Sequence, residues 1–436
     1  MKKLYLASLG CVKNLVDSEV MLYKLKNYEI TQNPKEADVL LVNTCGFINS
    51  AKEESIETIL ELANEKKDNA ILAVTGCLSQ RYKEDLIKEI PEVNVWSGVG
   101  DFDKIDKLIK EAEKKKKVIK FSPKVFLIHK EKRVITGSNY HAYIKLSEGC
   151  NQKCAFCAIP NFKGKLQSRP IEEVIEEIKY LKSLGYKDFS LVSQDSSSYL
   201  RDFGIRDGLE RLIDEIDKIE GINVRILYLY PATTTKRLIK KIFSSKNVVN
   251  YFDMPIQHIS ARMLKIMKRP GSVRKLNELL YLMREEFSFV RTSVIVGHPG
   301  ESEEDFKELC EFLKEYKFDR VNVFAYSDEE GTSAYKRKDK LPQEVIEKRV
   351  EILGEIVKET TIESLKKYIG KTCKCFFDGL TEDGLFYSVR PKLWAPEIDG
   401  DVLVNESEKE NLKIGDLVDV KINELAGDEL IGKIVV

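Results

Sequence analysis

The chain has 436 residues, more than one hydrophobic core usually organises, so two to four domains are expected. Lys plus Arg and Asp plus Glu number 71 each, and this zero net charge gives no global electrostatic case for nucleic acid or a membrane surface. Charged residues make up 33%, above the roughly 25% usual in soluble proteins, which fits an ordinary charged surface or the ion-pair networks of a heat-adapted one.

The opening "MKKLYLASLGCVKN" has an apolar run too short for a signal peptide, and Asn14 and Asp17 follow at once, so it reads as a buried first strand. No run of 18 apolar residues exists to span a membrane. A cytoplasmic chain is expected, in which nine cysteines point to metal or catalysis rather than disulfides. Residues 1–118 alternate strand and helix, with strands expected at Lys3–Ser8, Val39–Asn43, Ala70–Thr75 and Val93–Ser97. The stretch 50–66 has helical periodicity, with Ser50 and Glu53 spaced as a capping box. This is an open-sheet α/β domain, mostly parallel. The basic run 113–120 ends its last helix, and 119–139 is expected to link to the next unit.

From 140 to 366 the alternation restarts, with strands at Ala142–Leu146, Phe189–Val192, Arg225–Leu229, Tyr251–Met254, Ser293–Val296 and Val321–Ala325. Six units fall short of the eight of a full barrel, so a partial (β/α)6 barrel is expected, with an open parallel sheet as the alternative. Residues 367–436 hold short apolar runs broken by Gly, Asp and Glu, the pattern of a small antiparallel β-barrel. From Gly370 on, eight Lys/Arg face fourteen Asp/Glu, a net charge of −6, which suits RNA poorly.

"CNQKCAFC" places Cys150, Cys154 and Cys157 just after the first barrel strand, where such folds gather their active sites. Thiolates select zinc, copper(I) or iron–sulfur clusters. Zinc would need a distant fourth ligand, whereas a 4Fe-4S cluster on three cysteines keeps one iron free to bind a substrate or cofactor. The spacing, with Phe156 before the last cysteine, resembles the radical S-adenosylmethionine (SAM) superfamily. That resemblance implies SAM chelated on the free iron and cleaved to a 5′-deoxyadenosyl radical that abstracts hydrogen.

Cys11, Cys45 and Cys77 each follow a predicted strand of the first domain. In a parallel sheet those ends share an edge where ligands bind, so the three could converge on a second cluster with a free iron. The words "GCVKNLVDSE" (10–19), "NTCGFINSAKEESIETI" (43–59), "TGCLSQRY" (75–82), "EGCNQKCAFCAIP" (148–160), "MPIQHISARMLKIMKRPGS" (254–272), "YSDEEGTSA" (326–334) and "RPKLWAPEIDG" (390–400) resemble the methylthiotransferase family over nearly the whole chain. The resemblance implies an N-terminal cluster domain, a radical-SAM barrel and a C-terminal TRAM domain. It also implies two 4Fe-4S clusters, SAM used in two roles, and an electron donor such as flavodoxin or ferredoxin. One branch of the family modifies a transfer RNA adenosine, the other the β-carbon of an aspartate in ribosomal protein S-twelve. Lys13-Asn14, "VDSE", "CGFINSAKEESIETI" and "APEIDG" resemble the second branch. The acidic last domain also favours it, because small-subunit ribosomal proteins are generally basic. No direct RNA specificity is therefore expected.

"SQDSSSY" (193–199) ends the second barrel strand, where Gln194 or Asp195 could bind the SAM amino group; a serine-rich turn is the plainer reading. "VIVGHPGESEEDF" (294–306) resembles the superfamily's adenine-contacting strand, with Ile295 and Gly297 near the base and Ser302 as a helix cap. Arg269 could pair with the SAM carboxylate or lie in a solvated turn. Tyr326 could line the cleft or pack in the core. His258 reads as a hydrogen-bonded histidine, and Cys310, Cys373 and Cys375 as packing residues. A non-catalytic RNA-binding scaffold stabilised by zinc or a cluster is the reading from another class.

Overall fold

Six strands form the first sheet of the computed structural model, which describes residues 1–436: β1 (Lys3–Ser8), β2 (Glu29–Ile30), β3 (Val39–Thr44), β4 (Ile71–Gly76), β5 (Val95–Ser97) and β6 (Val118–Lys120). Their order is β2-β1-β3-β4-β5-β6, and every pairing is parallel. β3 and β4 read as unbroken apolar runs because both faces are covered: Val39 and Leu41 enter one core, Leu40 and Val42 the other. The basic run does end the helix Ile105–Lys115, but Val118–Lys120 then pairs with β5 as an edge strand, so residues 119–120 belong to the sheet rather than to a linker. The expected capping box is not formed. The helix is Asn49–Glu65, so Ser50 lies inside it and Ile48 takes the cap position with no side-chain bond; the Asn49 N–H donates to Ser327 Oγ (3.2 Å) of the next unit.

The second unit opens with β7 (His141–Lys145). A short antiparallel pair, β8 (Ser147–Glu148) and β9 (Gln167–Ser168), brackets the three-cysteine loop. Then follow β10 (Asp188–Val192), β11 (Asn223–Ile226), β12 (Tyr251–Asp253), β13 (Phe289–Val296) and β14 (Arg320–Ala325). They form two parallel three-stranded sheets, β7-β10-β11 and β12-β13-β14. Leu229 N–H to Asp253 O (2.7 Å) and Val249 N–H to Val224 O (2.9 Å) bridge the seam. Six strands in chain order make a partial barrel, not a sheet with a reversed strand order. The third strand stops at Ile226 rather than Leu229, because Tyr228 takes φ +62° and leaves the ladder.

The third unit is a closed barrel of β15 (Thr372–Leu380), β16 (Tyr387–Pro391), β17 (Val402–Ser407), β18 (Leu417–Ala426) and β19 (Glu429–Val435). One of its pairs, β17 with β19, is parallel, where an all-antiparallel barrel was expected. It docks on the base of the partial barrel. Arg390 Nη2 donates to Asp188 (2.7 Å), which also holds Arg225 (2.8 Å), and Trp394 packs on Phe289 with ring centroids 5.7 Å apart. Asp188, Arg225 and Arg390 are fully buried. Asp188→Ala would leave two buried guanidiniums facing each other, and a loss of about 3–5 kcal/mol is expected, read as a lower urea midpoint.

Candidate functional site

All six nominated cysteines line one cavity of about 430 Å³ at the C-terminal ends of the barrel strands, where the first domain covers them. Cys11, Cys45 and Cys77 follow β1, β3 and β4, three neighbours in the sheet. Each has a glycine beside it, and the glycines let the three loops close up. A Cβ on Gly10 would fall 2.6 Å from Cys45 Cβ, and one on Gly46 2.7 Å from Leu78 Cα. Asn14 ties the loops together: its Nδ2 donates to Leu9 O (3.2 Å) and Thr44 O (3.1 Å), and its Oδ1 accepts from Cys77 Sγ (3.6 Å).

Cys150, Cys154 and Cys157 sit on the loop between β8 and β9. Backbone bonds stitch it down, from Ala155 N–H to Met267 O (2.8 Å) and from Ala334 N–H to Ala155 O (2.8 Å). Arg269 Nη1 lies 3.6 Å from Cys154 Sγ, and its guanidinium stacks 4.2 Å from the Tyr230 ring centroid. Tyr230 OH is 3.7 Å from the same sulfur.

Fixed charges clamp the two walls. Lys145 Nζ reaches Asp17 of the first domain (2.5 Å) and Glu148 (2.9 Å), with Lys163 Nζ 3.4 Å from Glu148, and all four side chains are buried. Lys145 and Lys163 together outweigh the burial that would push Glu148 up and hold it down at about 2. At the rim Glu329 accepts from Arg81 (2.7 Å) and Lys52 (3.0 Å).

Desolvation pushes the Cys77 and Cys157 thiols up to about 12 and Cys150 up to about 11. At Cys11 desolvation also acts upward, but Lys13, the Asn14 N–H and Lys163 outweigh it and hold the thiol below its usual range. Metal binding needs thiolates, so filling the trios expels protons. No three Cys, His, Asp or Glu side chains converge on a single ion. Soft donors, three per trio and open to one cavity, fit an iron–sulfur cluster with a free corner.

Phe156, Gln194, Arg269, Ile295 and Tyr326 also line the cavity. Asp195 does not: it lies behind the wall and accepts from Gln152 Nε2 (2.8 Å), Ser197 (2.7 Å) and Ser198 (2.6 Å). Gly297 is likewise off the lining. Its N–H donates to Glu301 (2.6 Å), and a Cβ there would strike Ile346 at 2.5 Å. Ser302 forms a capping box with Asp305. His258 is fully buried and satisfied, with Nε2 3.2 Å from Glu301 and Nδ1 accepting two backbone N–H groups. Cys310, Cys373 and Cys375 lie outside the cavity. Sequence reasoning missed Lys163, Tyr228, Tyr230 and Arg291 as lining residues. "YLYP" just past the third strand was the available signal for the tyrosines; an inward arginine in mid-strand offers none.

Three family models match the chain: "Uncharacterized protein family UPF0004" over residues 3–98, the radical SAM superfamily over 144–313 and the TRAM domain over 369–435. It is 60% identical, over 99% of both chains, to "Ribosomal protein uS12 methylthiotransferase RimO" of a Nitratiruptor species. It is 55% identical to the protein of that name from Aliarcobacter butzleri, over 100% of this chain and 98% of that one. Among solved structures, the radical S-adenosylmethionine methyltransferase TsrM from Kitasatospora setae superposes with a TM-score of 0.56 at 13% identity, covering 74% of this chain and 73% of that one, a likeness of fold. No helix is long and apolar enough to cross a membrane.

Proposed function

The chain belongs to the ribosomal protein uS12 methylthiotransferase (RimO) family, and from that premise we propose that it is a radical-SAM enzyme attaching a methylthio group to the β-carbon of an aspartate in uS12. The observation that carries this reading is the single cavity onto which all six cysteines open. Cys11, Cys45 and Cys77 hold one 4Fe-4S cluster, and Cys150, Cys154 and Cys157 hold the other. When bound, the clusters and two SAM molecules supply the electron, the hydrogen-abstracting radical and the methylated sulfur. The chain's own part is to place and enclose. Arg269 and Gln194 are suited to the SAM carboxylate and amino groups, while Phe156 and Ile295 flank its base. Asp195 buttresses this wall from behind, and Gly297 sets the turn after β13. The buried Lys145–Asp17–Glu148–Lys163 cluster fixes the first domain over the barrel mouth and keeps bulk water from the reacting atoms.

The acidic third domain is proposed to attract basic uS12 rather than to read RNA; since it docks at the barrel base, such contact is made away from the cavity. A cytosolic location and reduction by flavodoxin or ferredoxin complete the proposal. The anaerobic protein should hold about eight irons per chain, and mass spectrometry of co-expressed uS12 should find one methylthio group on an aspartate. One or two zincs, or a methylthiolated transfer RNA beside unmodified uS12, would overturn the reading.

A further inference from the structure

We propose that Arg291, assisted by Lys13, forms the subsite that grips the carboxylate of the substrate side chain; this deepens the function proposed above and rests on it. Arg291 is the third residue of β13, and its side chain lines the cavity. It is 8% exposed, and its Nε and Nη1 have no hydrogen-bond partner. Asp253 forms an ion pair with it, 3.6 Å from Nη1, but that is too far for a hydrogen bond, and the same oxygen already accepts from the Tyr228 N–H (3.1 Å), so the donors themselves stay free. A buried guanidinium with idle donors is costly to keep. Its planar fork matches a carboxylate, which would engage two donors at once.

The neighbours support an anionic occupant. Lys13 Nζ sits 4.0 Å from the Tyr228 ring centroid, on the same cavity. Tyr228 is held in a left-handed backbone conformation, φ +62°, which turns it out of the third strand toward that lysine. Lys13 is two residues from Cys11 of the first trio, whereas Arg269 stands at Cys154 of the second. A carboxylate could come from SAM or from the substrate. Arg269 already stands where SAM would meet the second trio, which leaves Arg291 and Lys13 for the substrate. An aspartate β-carbon is one bond from its carboxylate, so holding the carboxylate places the reacting carbon. An adenine base carries no such anion, so the same pair sets the choice of acidic side chain over nucleobase.

The test uses the cluster-loaded enzyme and two uS12 peptides, one with the target aspartate and one with asparagine there. Calorimetry should find the aspartate peptide bound about tenfold or more tightly by wild type, as expected where buried donors lose their acceptor. Arg291→Gln should erase that preference and raise the peptide KM while the SAM KM stays near wild type. Arg291→Lys should restore part of the preference, and Lys13→Gln should weaken it less. Iron content and thermal midpoint check that each variant is folded. Equal binding of the two peptides by wild type, or a preference that survives Arg291→Gln, overturns the subsite. A change in SAM KM alone moves Arg291 to the cofactor and overturns it too. Wild-type protein that methylthiolates transfer RNA and leaves uS12 untouched overturns the functional reading itself.

Discussion

Alanine at Cys150, Cys154 and Cys157 together is expected to abolish SAM cleavage, leave uS12 unmodified and halve the iron to about four per chain. The expectation follows from how the loop is built. Its shape is set by backbone bonds from Ala155 to Met267 and Ala334, and by the β8–β9 pairing, none of which uses a cysteine side chain. The three sulfurs are partly exposed and lie outside the main cores. Removing them takes away the donors while the wall stays, and Arg269 and Tyr230 lose only the Cys154 contact. The apoprotein should therefore melt near the wild-type temperature while 5′-deoxyadenosine formation disappears. Residual cleavage in the triple variant would mean that the site lies elsewhere.

The sequence disclosed chemistry better than boundaries. Three thiols within eight residues, and three more at strand ends, were legible because soft donors in polar loops have few other uses, and because a parallel sheet puts its strand ends on one edge. The strand order, which seats Cys11, Cys45 and Cys77 on adjacent strands, could not be read, since apolar runs do not name their neighbours. β6 hid in a run of lysines because an edge strand of three residues needs only Val118 to be buried. Ser50 had the spacing of a cap, but the helix begins one residue earlier, at Asn49, so Ser50 is already helical and Ile48 holds the cap position without a side-chain bond. Asp195 and Gly297 stand near the strand ends that lead into the cavity, yet their backbones turn them behind the wall. Arg291 and Lys163 were invisible, because a buried charge shows in a sequence only once its surroundings are known.

Alanine at Cys11, Cys45 and Cys77 together should have a different outcome: cleavage of SAM survives in part, methylthiolation of uS12 stops, and iron again falls to about four per chain. The trios stand on separate frames, one on the sheet edge of the first domain and one on the loop after β8, so emptying one leaves the other's donors in place. Cys77 and Cys45 are buried, and truncating each to alanine opens a small void; Asn14 keeps its bonds to Leu9 and Thr44, so the loops should stay closed. The first domain also remains clamped through Lys145–Asp17 and Arg81–Glu329, so the cavity keeps its cover. Radical chemistry without a sulfur to deliver should appear as 5′-deoxyadenosine formed in excess over product. Methylthiolated uS12 from this variant would mean that the sulfur comes from outside the first trio, and the two-trio scheme would fail.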